Sequence, residues 1–566
     1  MFRFPDFGKV PEKPGKYPKF GEKDYLIGKL DEDRAGYDVT FYDLDLILDP
    51  ANHRLGGTVN IHFRALAELS KIRIDLYENL YISSLRMSGQ EIPFIRNDRA
   101  VIASLSYPLV IGQDYIIVVE YNGKPKSAKN PPWSGGVVWK NDENGNPWIG
   151  VTCETEGGSI WFPCKDNLSD EPDSVRLRMT VPAGLQVVSN GKMRSHTSEA
   201  GSETFTWSTQ YPVNIYNLTF YAGRFEHFSD TILTPQGILN LDYYVMPQNL
   251  EKAKKQFLQV KDIINLYTRS FGPYPWIKEG FRLIEAPFEG MEHQTAIAYG
   301  SGYSNRAWLG GDYVLVHEIA HEWWGNAVSV SDFSDIWLQE GFATYAEMIF
   351  AEHKLGYSNS LLYARYYIAG RIKNKLPVVG PTDVSYWNNS DNDVYNKGAM
   401  VLHTLRNVLN DSTLFFDILK TFYREHAASS HVTTADFIEV VGRKTGKDWD
   451  KFFDTYLFLR EVPVLYWYYG TVSKDEGQGT VESKVVPVIA AKWLNVPVGF
   501  SMPVEFYCKE ENISVRIEVT TKPTLFYFDE MTACSKLICN RRLSYFDAVK
   551  DISVLAEAGD SGPRDK

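Results

Sequence analysis

The sequence predicts a multidomain α+β chain, and three observations carry that prediction. Its 566 residues exceed what one hydrophobic core organises, so several domains are expected. From residue 37 to about 241, short alternating apolar runs are separated by clusters of Gly, Asn and Pro, the pattern of strands and turns. From Pro247 the apolar period lengthens to that of helices, and after Val462 it returns to strand-like runs.

In chain order, residues 1–23 are rich in Pro, Gly, Lys and Phe and contain no apolar core of the signal-peptide kind. They read as extended, and 1–36 as an N-terminal arm. Residues 37–244 form the predicted all-β domain. It opens on a hairpin in which residues 38–48 alternate, Asp49-Pro50-Ala51-Asn52 turns, and residues 58–63 return. Residues 245–460 form an α/β unit with helices predicted over 250–271, 311–324, 336–353, 396–409, 412–426 and 434–441. Residues 461–552 hold short β-prone runs that fit a small β-sandwich, and the Gly-, Asp- and Ser-containing end, 553–566, reads as a flexible tail.

Composition narrows the function. A net charge of −12 and a pI near 5.5 argue against nucleic acid or an anionic membrane as main partner, since both require a basic face. No apolar run reaches the length of a membrane span. Five cysteines, an odd number without paired clusters, imply no disulfide framework and no cysteine metal site. Cys534 and Cys539 are near enough in sequence to pair, but they read first as small buried hydrophobes.

The chemistry concentrates in His317-Glu318-Ile319-Ala320-His321. On a helix, positions i and i+4 share a face, so two imidazoles can aim at one point. A neutral imidazole pair plus one carboxylate is a usual protein ligand set for catalytic zinc. Glu340 is the candidate third ligand, in Trp337-Leu338-Gln339-Glu340-Gly341-Phe342-Ala343, whose spacing reads as a second helix. One Zn²⁺ per chain is therefore expected on His317, His321 and Glu340. Glu318, one step along from His317, projects beside the metal and is the candidate general base.

This motif, with eighteen residues between His321 and the glutamate of Trp-Leu-x-Glu-Gly-Phe-Ala, resembles the gluzincin zinc aminopeptidases, peptidase family M1, which includes alanyl aminopeptidase and leukotriene-epoxide hydrolase. The likeness in motif order runs over roughly residues 37 to 469. It implies a saddle-like N-terminal β domain, a thermolysin-like catalytic domain and a C-terminal β-sandwich. The large helical domain that often follows in the family is not expected in these 566 residues. It also implies a metallo-exopeptidase that takes single residues from the free N-terminus of peptides.

By the same resemblance, Tyr395 in Tyr395-Asn396-Lys397-Gly398 corresponds to the tyrosine that meets the tetrahedral intermediate. Glu292 stands in Glu289-Gly290-Met291-Glu292-His293, similar to the family's Gly-x-Met-Glu-Asn segment. There the glutamate holds the substrate amine, and the backbone at Gly290 and Met291 lies along the peptide. Glu289 and His293 depart from that pattern. Glu154, nine residues before Pro163-Cys164, corresponds to a second amine-binding carboxylate, with Glu156 as a rival. Two alternatives are a leukotriene-type epoxide hydrolase, disfavoured by an acid at 154 where those enzymes carry an amide, and a non-catalytic scaffold, disfavoured by the intact motif residues. The absence of an export signal fits either a cytoplasmic protein or, as in exported bacterial members of the family, the mature form of a periplasmic one.

Overall fold

The computed structural model describes residues 16–154, 156–385, 392–427, 431–475, 483–528, 534 and 536–560. Three β assemblies make up the first part. An eight-stranded sheet runs in the order Lys192–Glu199, Ser202–Thr209, Ser174–Pro182, Tyr37–Asp49, Arg54–Ala65, Asp114–Gly123, Leu80–Met87, Gln90–Glu91. A four-stranded and a three-stranded sheet pack with it. The opening hairpin pairs Leu44 with Val59, and the Asp49 side chain accepts a hydrogen bond from Asn52 N to close its turn. Tyr42, Leu44, Leu46 and Leu48 all point inward, as a period of two requires of a sheet with one wet face.

The five-stranded sheet of the second unit runs Glu226–Thr234, Gly237–Val245, Phe281–Glu285, Ile297–Tyr299, Gly290–Met291. Its first two strands fall inside the region assigned from the sequence to the N-terminal domain. That boundary moves from 244 back to about 226, because Leu241 pairs with Phe281 in a parallel ladder. Alternation reveals a strand, but not which sheet it joins.

Two helices dominate this unit. The ligand helix, Trp337–Leu355, is buried on every side from Trp337 to Ala351, so it is a core helix and not a surface one. The tyrosine helix, Asp393–Leu409, crosses it where Gly341 meets Gly398. A Cβ on Gly341 would stand 3.0 Å from Gly398 Cα, and one on Gly398 would stand 3.1 Å from Gly341 Cα. Only two glycines permit this approach, and it brings Glu340 and Tyr395 to one cavity.

The C-terminal unit packs a four-stranded sheet, ordered Thr524–Tyr527, Ser483–Leu494, Val464–Asp475, Asp547–Lys550, on a three-stranded one through contacts such as Trp467 against Phe506. Three expectations change in the terminal regions. Cys508 bonds to Cys534, with Cα atoms 5.9 Å apart, while Cys539 is buried and free. Sheet pairing, which sequence proximity does not show, sets which cysteines meet. Of the predicted flexible tail, Ser553–Asp560 is a helix that packs Val554 and Ala558, four residues apart, against the strand Ser483–Leu494. Residues 561–566 lie outside the described residues. The arm is helical at Glu22–Gly28 and Glu32–Ala35, anchored where buried Arg34 meets Asp75 at 3.3 Å. Residues 1–15 lie outside the described residues. Among the described residues, no helix is long and apolar enough to cross a membrane.

Candidate metal centre and cleft

The motif helix, Tyr313–Ala320, starts at Asp312, whose carboxylate accepts from Val314 N. His321 follows its last residue but keeps right-handed helical backbone (φ −65°, ψ −19°), so the i, i+4 relation to His317 survives. The Nε2 atoms of the two rings lie 3.2 Å apart. Each Nδ1 is already engaged, His317 with Glu347 Oε1 at 2.7 Å and His321 with the Trp324 carbonyl at 2.8 Å. Those acceptors place the ring protons on Nδ1 and leave both Nε2 lone pairs facing the same spot.

Glu340 Oε2 completes the triangle, 3.3 Å from His317 Nε2 and 3.6 Å from His321 Nε2. Donors bound at about 2.0–2.1 Å to a tetrahedral ion stand roughly 3.3 Å apart, so the three atoms fit zinc. Glu340 Oε2 is buried and accepts no hydrogen bond, an arrangement that a cation satisfies.

The donors open onto a cavity of ≈ 460 Å³ that also takes in Glu318, Tyr395, Glu292, Glu154, Gly290 and Met291, so the fold gathers every sequence-selected site residue in one place. One carboxylate oxygen from each of Glu154, Glu292 and Glu340 lies within 4.8 Å of the others. Burial, then the charges of Glu292 and Glu340, push the Glu154 carboxyl well above its ordinary range. Burial and Glu340 likewise raise Glu292. Glu156 is directed elsewhere, paired with Lys126 and near Arg99, and is not among the lining residues, which leaves Glu154 as the carboxylate in the cavity.

Gly290 sits on the edge strand and must be glycine. A Cβ there would lie 2.3 Å from Glu318 Oε1 and 2.9 Å from Val314 Cγ1. The Glu318 carboxyl is itself driven up by burial, against the pull of the nearby His317. His293 is fully buried, with Nδ1 2.6 Å from the Tyr221 hydroxyl, and burial lowers its pKa to about 3, so it is neutral. It is not among the residues lining the cavity, while exposed Glu289 is.

Sequence reasoning missed the supports. Glu347 fixes His317, and Tyr363 donates to Glu347. Glu347 follows Glu340 by seven residues, two turns along the same face, and that spacing was a usable signal. Tyr216, whose hydroxyl is 3.2 Å from Glu292 Oε1, carried none.

Residues 293–456 match the Peptidase family M1 domain. Over those residues the chain carries a peptidase family M1 domain. Among curated relatives, it is 24% identical over 417 residues to a probable aminopeptidase 2 of Sulfurisphaera tokodaii, spanning 68% of this chain and 50% of that protein. It is 21% identical over 495 residues to the leukotriene A-4 hydrolase of Xenopus laevis, spanning 81% and 73%. The match covers 61% of leucine aminopeptidase 2 of Eremothecium gossypii, so this chain spans roughly half to three-fifths of the length of these two aminopeptidases. In fold it is similar to an M1 zinc metallopeptidase from Deinococcus radiodurans, with a TM-score of 0.63 at 24% identity over 75% of this chain and 94% of that one.

Proposed function

We propose that this chain is a zinc-dependent aminopeptidase that removes single residues from the free N-terminus of peptides, with a thermolysin-like catalytic unit. One observation carries the reading: two carboxylates, half-buried Glu154 and buried Glu292, stand beside the His317, His321, Glu340 donor set in one cavity with Glu318. Two like charges in a dry site repel, and a substrate ammonium relieves that repulsion, which favours a chain end over an internal segment.

His317, His321 and Glu340 hold the metal. Zinc supplies Lewis acidity, polarising a carbonyl and lowering the pKa of water from about 15.7 toward about 7. Glu154 and Glu292 bind the α-ammonium and set the first peptide bond over the donor set. Glu318, whose carboxyl is raised by burial, takes the proton of the attacking water and returns it to the leaving amine. The Tyr395 hydroxyl, from the first turn of the tyrosine helix, donates to the oxygen on which negative charge develops. Its own proton is held firmly, because burial and the charges of Glu340 and Glu154 raise its pKa.

The test pairs a fluorogenic aminoacyl amide with its N-acetylated form, each with and without chelator. Hydrolysis of the free amine alone, abolished by chelation and restored by zinc, is the expected result. Equal turnover of both forms points to an endopeptidase and removes the role given to the carboxylate pair.

A further inference from the structure

The cleft is electrically lopsided. Glu154, Glu289, Glu292, Glu318, Glu340 and Glu347 all line it. Two cations line the same cavity, Arg371 and Lys373, and both are exposed. Among the described residues neither has a carboxylate partner: the guanidinium of Arg371 lies 5.6 Å above the Tyr367 ring, and for Lys373 the bond present is from its backbone.

Both are tied to the reacting end. Tyr367 stacks on Trp308 with ring centroids 3.9 Å apart, and Trp308 stacks on Tyr363, which donates to the Glu347 that holds His317. The amides of Lys373 and Asn374 donate to the two carboxylate oxygens of Asp393 at 2.8 and 2.6 Å, two residues before Tyr395. Arg371 is thus fixed through an aromatic wall to a metal ligand, and the backbone of Lys373 is fixed to the start of the tyrosine helix.

We propose that Arg371 and Lys373 form a carboxylate-recognition subsite, so that this cleft selects short peptides carrying a free carboxylate a few residues from the free amine. The inference rests on the aminopeptidase reading and names its substrate class. A peptide with opposite charges at its two ends matches a cleft lined both by carboxylates and by two cations that have no carboxylate partner among the described residues. The carboxylate has two sources, the C-terminus of a di- or tripeptide or an Asp or Glu side chain, and the experiment separates them.

Ala-Ala-Ala is compared with its C-terminal amide, and Ala-Glu-Ala amide with Ala-Gln-Ala amide, by kcat/KM at low ionic strength. Each exposed ion pair is worth at most a few-fold, so the two together favour the carboxylate form by about tenfold. The gain falls in KM rather than kcat and fades with added salt, because the contact is made equally in ground and transition states. A preference in the first pair alone assigns the C-terminus, and in the second alone an acidic side chain. In R371Q/K373Q the ratio falls to about one, and in R371E/K373E it drops below one. Hydrolysis of all four peptides with ratios near one in the wild-type chain overturns the subsite and leaves the aminopeptidase intact. Hydrolysis of none removes the aminopeptidase reading, and the subsite with it.

Discussion

The metal corner and the amine end of the cleft touch each other but are built in opposite ways. The corner comes from two adjoining helices within 31 residues of chain, His317 to Glu347, and each histidine is held by a partner inside that stretch. The amine end joins Glu154, from the β domain, to Glu292, on the residue after a two-residue edge strand of another sheet. One is a local device carried by helix periodicity. The other exists only when two domains are docked.

That contrast can be broken or sharpened by experiment, with the largest effect expected at the corner. Glu318→Gln should retain about one zinc per chain yet lose at least ~10²-fold in kcat, the usual contribution of general base catalysis. A variant with wild-type kcat would move the proton transfer to another group. At the other end, acetylating the substrate amine should cost about 2–5 kcal/mol, because it leaves a buried charge pair without its partner. Glu292→Ala should then erase most of the difference between free and acetylated substrates while metal content stays unchanged. Loss of zinc in Glu292→Ala would show that the two regions are not separable.

Smaller effects test the supports. Glu347→Gln should weaken zinc binding by about 10–100-fold, the range for partners that orient a metal-bound histidine, and should leave the ratio of free to acetylated turnover alone. Titration with a competing chelator measures it. Tyr216→Phe removes one hydrogen bond to Glu292, worth about 1 kcal/mol, so KM for free-amine substrates should rise roughly fivefold with zinc content unaltered. A change in zinc occupancy there would tie the amine end to the corner.

The same contrast explains what was legible in the sequence. His317, Glu318, His321 and Glu340 follow from spacing alone, since four-residue periodicity places both rings on one face. Glu154 and Glu292 came from resemblance, because nothing in the 137 residues of intervening chain says that they meet. Arg371 and Lys373 left no trace: they follow a helix whose last turns widen to π and tighten to 3-10 geometry, and a cation at a rim has no periodicity. Glu226–Thr234 read correctly as β and fell in the wrong domain, since strand partnership is a long-range property. The Cys508–Cys534 bond failed for the same reason.

The close seat of Gly290 against Glu318 has a mechanical meaning. The strand proposed to guide a peptide and the carboxylate proposed to handle its protons share a gap with no space for a single methyl group. Peptide and base therefore cannot drift independently. Any sideways slip of the strand is transmitted to the carboxylate as displacement, so a substrate that seats badly should also be one whose water is badly aligned. Discrimination by fit and discrimination by rate become the same event.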